Sequence, residues 1–160
     1  MRDKMKLQIE KFLTDKGIRY KLIKLSQNAY TVDDVIKFSE GRVNPEEICK
    51  TIILRGRKTD KSMAVFLRGN DKLDFSKLKK IFGEEVAIAD AERVKKVAGV
   101  EPGAVCPFLI QPPLFVDEKV FELENVHCGS GHHLFGIEFK TEDLGKGVVC
   151  EISDFSKPFK

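Results

Sequence analysis

The sequence predicts an α+β fold, a mixed sheet with flanking helices, on three observations. Capped amphipathic segments crowd the chain as far as Gly99. Short β-branched and apolar runs dominate the rest, from residue 100 to the C-terminus. Helices and strands do not alternate in the regular order of a doubly wound parallel sheet.

In chain order, Met5, Ile9, Phe12 and Leu13 form the stripe of an amphipathic helix, closed by Gly17. Ile18, Tyr20 and Leu22 alternate as a strand would. Thr31 followed by Asp34 is a capping-box start, and Val32, Val35 and Ile36 give that helix one apolar face. Asn44-Pro45-Glu46-Glu47 starts a further short helix with a cap, a proline and two acids. Thr51–Leu54 and Ser62–Leu67 read as strands, the second of them ending in a turn at Arg68–Asp71. Asp74 and Asp90 cap two more helices, closed by Gly83 and Gly99, with a short strand at Val86–Ala89 between them. Leu114–Val116 and Val120–Leu123 flank Asp117-Glu118-Lys119 in the pattern of a hairpin. Leu134–Phe139 and Val148–Ile152 are the last two expected strands, with a helical turn near Glu142–Leu144.

Length and composition set the outer bounds. A chain of 160 residues with no repeat, linker or low-complexity segment reads as one domain, residues 1–160, able to bury its own core. Hydrophobic residues at 42% and charged residues at 33% place it among globular rather than disordered proteins. Its apolar runs are too short to span a bilayer, and the N-terminus MRDKMKLQIEKF lacks the apolar core of a signal peptide. A cytoplasmic protein without membrane contact is expected. Cys49, Cys106, Cys128 and Cys150 are scattered, which suits free thiols. A net charge of +3 permits nucleic-acid contact without requiring it.

Three places could carry chemistry. Lys50 leads an apolar strand and could aim its ammonium at an anion beyond the sheet end. It is also one of 28 basic residues, and surface composition alone favours an ordinary surface lysine. The stretch from Val97 to Phe108 carries Gly99, Pro102, Gly103 and Pro107, which force an irregular backbone able to present N–H groups to a ligand. It is equally a structured turn. The stretch VHCGSGHH, residues 126–133, holds all three histidines. It lacks the spacings of recognised zinc motifs, and His132 and His133, being adjacent, would point to opposite faces of a strand. Gly129-Ser130-Gly131 suits a ligand-lining loop or a tight strand connection alike.

Taken together, these residues resemble a known family. Lys50-Thr51-Ile52-Ile53-Leu54 with Ala64–Leu67, then Leu73-Asp74-Phe75-Ser76-Lys77-Leu78, match two of its motifs in order. Ala91-Glu92-Arg93-Val94, then Gly99 and Pro102–Phe108, match its Gly/Pro loop. Gly129-Ser130-Gly131, Leu134–Phe139 and Asp143-Leu144 match its ending, and Tyr30-Thr31 the pair that opens its second helix. The chain thus resembles YbaK/EbsC/ProX-like aminoacyl-tRNA deacylases, relatives of the editing domain inserted in bacterial prolyl-tRNA synthetases. The resemblance implies a mixed, mostly antiparallel, partly barrel-like sheet with flanking helices. It implies hydrolysis of the ester of a mischarged tRNA carrying a small amino acid such as Cys, Ala or Ser, without metal or cofactor. In such a mechanism a ribose hydroxyl of the terminal adenosine assists the reaction.

Carried over by motif, Lys50 and Gly103 take the catalytic places. Tyr30, Thr31, Thr51, Pro107, Gly129, Ser130, Gly131 and His132 take the substrate-binding ones. The expected partner is the acceptor end of a mischarged tRNA, with an aminoacyl-tRNA synthetase as a possible second. The sequence departs from the YbaK pattern at Gly129, after Pro107, and at His132 and His133, which bears on amino-acid specificity more than on the reaction. The alternatives are a non-catalytic tRNA- or nucleotide-binding module of the same fold and a metal-dependent hydrolase centred on His127, Cys128 and His132.

Overall fold

The computed structural model of the protein describes residues 7–159. Met5, part of the first expected helical stripe, lies outside them. The helices form where caps and apolar spacing call for them. Helix α1 (Gln8–Asp15) buries Ile9 and Leu13 completely. Helix α2 (Val32–Phe38) starts at Thr31, whose hydroxyl accepts the Asp34 N–H. Asp74 and Asp90 accept the first free N–H groups of α3 (Phe75–Phe82) and α4 (Ala91–Ala98), and each helix ends on a left-handed glycine, Gly83 or Gly99. A last short helix, α5 (Leu144–Gly147), comes after a 3₁₀ turn at Thr141–Asp143.

Ten strands make three sheets among the described residues. The large sheet has the order β5 (Val86–Ile88), β2 (Cys49–Gly56), β3 (Ser62–Arg68), β6 (Leu114–Asp117), β9 (Cys150–Ser153). A second joins β1 (Tyr20–Lys24), β8 (Phe135–Lys140) and β7 (Asn125–Gly129), and a third pairs β4 (Asp71–Leu73) with β10 (Ser156–Pro158). The β3/β6 and β6/β9 pairings are parallel and the others antiparallel, so the architecture is mixed and mostly antiparallel, as the sequence indicated. Among the described residues the sheets do not close into a full barrel. The β1–β8–β7 sheet meets the large one at a parallel bridge of Ile48 to His127 and does not close it.

The expected hairpin at Asp117-Glu118-Lys119 does not form. Asp117 accepts the Lys119 N–H at 3.0 Å and starts a 3₁₀ helix, Glu118–Glu122, which sends Val120 into the core. Freed from a hairpin, β6 lies parallel between β3 and β9. The Asp117 carboxylate, fully buried, also accepts the Phe155 N–H at 2.9 Å, and so ties this turn to the C-terminal segment.

What positions the site is an incomplete edge of β2. Strand β3 covers its other edge from Cys49 to Arg55. On the open edge, β5 pairs only with Leu54–Gly56, and the His127 bridge lies at Ile48. No described strand pairs with the stretch between. The Ala89 N–H donates to the Ile53 carbonyl at 2.9 Å across this edge. By the alternation of an antiparallel strand, Thr51 and Cys49 therefore turn their peptide groups the same way. The side chains alternate too. Cys49 and Ile53 join the core cluster beneath β7 and β8, and Ile52 and Leu54 face a second cluster with Leu73, Leu78 and Phe155.

Candidate functional site

A cavity of about 290 Å³ occupies the gap beside β2. Because it lies at a sheet edge, residues from both faces of the strand border it, Thr51 from one and Lys50 from the other. The remaining walls come from Tyr30–Val32 and Val35, from Pro102, Gly103 and Val105, from His127–Gly129, and from His132 and His133. Helix α2 buries none of its residues: the apolar face of Val32 and Val35 is turned to this cavity rather than to the core.

Lys50 is the only Lys, Arg, Asp or Glu among the lining residues. Its ammonium donates to the Asp71 carbonyl at 2.8 Å and reaches the Gly69 carbonyl at 3.5 Å. Partial burial lowers its pKa, opposed by the Asp71 carboxylate. That carboxylate is itself held by Arg68 at 2.8 Å. An ammonium has three donors, so two carbonyls leave one for a ligand. The Phe159 ring lies 5.4 Å away, within cation–π range.

The opposite wall depends on two glycines. Gly103 has φ +97°, and a Cβ there would lie 2.6 Å from the Tyr30 carbonyl oxygen. The loop therefore rests directly on the backbone that leads into α2. A Cβ at Gly129 would lie 2.5 Å from the Val105 carbonyl oxygen, so β7 packs against the same loop. The Gly131 N–H donates to the Ala104 carbonyl at 2.8 Å, which completes the joint. Tyr30, 52% exposed, stacks on His133 at 4.3 Å, and His133 Nδ1 lies 2.9 Å from the Ala29 carbonyl.

Among the residues carried over by motif, the structure gathers Lys50, Gly103, Tyr30, Thr31, Thr51, Gly129 and His132 around the cavity. Pro107, Ser130 and Gly131 stand behind its wall. Pro107 is buried. Ser130 spends its hydroxyl on the loop, donating to the Phe135 carbonyl at 2.6 Å and accepting the His132 N–H at 3.2 Å. Cys49 and Cys128 line the cavity, but burial pushes the Cys49 thiol up to about 12 and Cys128 well above the usual range, so neither is a ready nucleophile. No three His, Cys, Asp or Glu side chains of the described residues are placed to hold a metal ion together.

His127 is the lining residue that sequence reasoning undervalued. It is 1% exposed, packs over Gly136, and burial lowers its pKa to about 4. The signal was present in its position: a polar residue between Val126 and Cys128, on a strand buried on both faces.

The profile of the aminoacyl-tRNA editing domain matches residues 26–146, most of the chain and every cavity-lining residue except Leu25. The chain belongs to the aminoacyl-tRNA editing domain family. Relatives of this editing domain include the proline–tRNA ligase of Caldicellulosiruptor saccharolyticus, 29% identical over 128 residues. That of Thermoanaerobacter sp. strain X514 is 28% identical over 135. Each alignment covers 79% of this chain but only 21% and 23% of the ligases, so the chain spans about a fifth of the length of these relatives. Among solved structures, a hypothetical protein superposes with a TM-score of 0.83 at 24% identity, covering 93% of this chain and 99% of the other. A candidate trans-editing enzyme for prolyl-tRNA synthetase superposes with a TM-score of 0.79 at 19% identity, covering 93% and 94%. Both share the fold of this editing domain from end to end. No helix among its described residues is long and apolar enough to cross a membrane.

Proposed function

We propose that this protein hydrolyses the ester of a mischarged tRNA bearing a small amino acid, acting in trans. The observation that carries this reading is the cavity itself. It sits in a chain of the editing family, at an open strand edge, with one ionised side chain and a loop pinned by Gly103.

Ester hydrolysis places negative charge on the carbonyl oxygen, and fixed backbone N–H groups stabilise such charge without an ionisable partner. Loop residues around Gly103 and the β2 edge at Thr51 supply backbone at the cavity. Lys50 holds a phosphate or the ester end of the substrate as a point charge, with its remaining donor. Tyr30 and Thr31 receive the substrate at the opposite wall. As the resemblance to the family's deacylases implies, a ribose hydroxyl of the terminal adenosine assists the attack on the ester, and the protein's part is to hold and polarise it. The proteins that supply such substrates are aminoacyl-tRNA synthetases, and the setting is the cytoplasm.

The test is a panel of Ala-, Cys- and Ser-charged proline, cysteine and alanine tRNAs. Wild type should release amino acid from at least one. Lys50→Ala should lower kcat/KM on it by about 10- to 100-fold, the range of a charge-assisted hydrogen bond. Equal background rates for both proteins on every substrate would refute the enzyme. Binding of tRNA without release would make the protein a binding module instead.

A further inference from the structure

We propose that His127, together with Thr51, selects a hydroxyl-bearing amino-acid side chain on the ester; this rests on the deacylase reading above. Four buried side-chain polar atoms lack a hydrogen-bond partner among the described residues: Thr51 Oγ1, His127 Nδ1, His133 Nε2 and Thr141 Oγ1. Three of these belong to residues lining the one cavity. Native folds seldom leave such atoms unmatched, and their concentration in residues that border a single cavity points to a polar ligand that completes the set. His133 has a nearby group for its free nitrogen, the Glu101 carboxylate at 3.9 Å. Thr51 and His127 have none.

The chemistry of that pair fixes the kind of ligand. His127 is almost wholly enclosed, and its lowered pKa keeps the imidazole neutral near pH 7. A neutral imidazole offers one donor and one acceptor, and a threonine hydroxyl offers the same combination. A hydroxyl on the substrate can answer both. A carboxylate would find no countercharge at this end, and a methyl group would leave both polar atoms as unmatched as they are now. The surrounding wall of Cys49, Ile53, Val105 and Cys128 is apolar, which leaves the polar contacts at this end to Thr51 and His127. Strand geometry agrees: Thr51 and Ile53 share a face of β2, the one turned toward β7. A pocket built to hydrogen-bond a hydroxyl discriminates strongly against an analogue that lacks it, because its own polar atoms then go unpaired.

The experiment compares seryl and alanyl esters on one and the same tRNA, with wild type, His127→Leu and Thr51→Val. Wild type should favour serine over alanine in kcat/KM by at least about 100-fold, within the reach of hydrogen-bond discrimination. Each variant should lower that ratio by at least about tenfold, the worth of one hydrogen bond. Thr51→Val keeps the side-chain shape and removes the hydroxyl, so it reads the same ratio if His127→Leu does not fold. Variants that lose activity on both esters equally, with the ratio unchanged, would overturn the assignment while leaving the deacylase intact. A wild type that prefers alanine would also overturn it. A wild type that releases neither amino acid, nor any other on the wider panel, would remove the proposed function and this inference with it.

Discussion

At the residue scale, the site depends on positions that tolerate only one kind of side chain. Gly103 combines a left-handed φ with a backbone neighbour where a Cβ would go. Gly103→Ala should therefore cost about 1–3 kcal/mol of stability. Because the loop must lift off Tyr30, it should lower kcat/KM more than the stability loss predicts. Urea unfolding and deacylation kinetics on the same preparation would separate the two effects. Whether a residue borders a cavity was only partly legible in the sequence. Lys50, Gly103, Tyr30 and Thr51 carried motif signals, and all four border the cavity. Ser130 carried an equally good motif signal, yet its hydroxyl is committed to the Phe135 carbonyl, a bond between residues whose geometry only the folded loop defines. His127 gave the reverse case, since part of the burial of β7 comes from its approach to Ile48 and β2, far away in the chain.

At the element scale, legibility tracked locality. The caps at Asp74 and Asp90 and the glycine ends at Gly83 and Gly99 act within a few residues of the helices they define, and each was readable. Strands β4 and β10, three residues each, exist because they pair across more than eighty positions of chain, and no local pattern announces them. The 3₁₀ segment after Asp117 replaces the expected hairpin because an Asp before charged residues starts a hairpin turn and a 3₁₀ helix equally well. What decides it is Phe155, whose N–H takes the second oxygen of that carboxylate. Asp117→Ala should accordingly lose about 2–4 kcal/mol, since the buried Phe155 N–H and the half-buried Lys119 N–H are orphaned at once. Asp117→Asn, which keeps one acceptor, should lose less. Denaturation midpoints of the two variants against wild type check the order.

At the scale of the whole molecule, acid sensitivity arises from the cavity. His127 has its pKa lowered to about 4 in the fold against 6.5 when exposed. Between those values the unfolded chain binds a proton that the folded chain refuses, so stability rises with pH across the window. Acidifying from neutrality to pH 4 should therefore remove on the order of 3 kcal/mol through this residue. The carboxylates of Asp60, Glu84 and Asp154, held low mainly by hydrogen bonds from Arg93, Thr59 and Lys77 respectively, act in a lower range of pH. Stability curves of wild type and His127→Leu should diverge between pH 4 and 6.5, with the variant flatter. Parallel curves would show that the imidazole meets a partner in the folded state.

The open edge of β2 also constrains how this protein can change over time. Lys50 and Thr51 are neighbours in the chain but serve opposite faces of one strand, and the pairing of Ile48 with His127 and Gly69 fixes which is which. Point substitutions along the rim can retune the pocket one side chain at a time. A single inserted or deleted residue between Ile48 and Leu54 would exchange the two faces together, moving the cation and the hydroxyl to each other's places. Diversification of this site is therefore open to replacement and closed to changes of length.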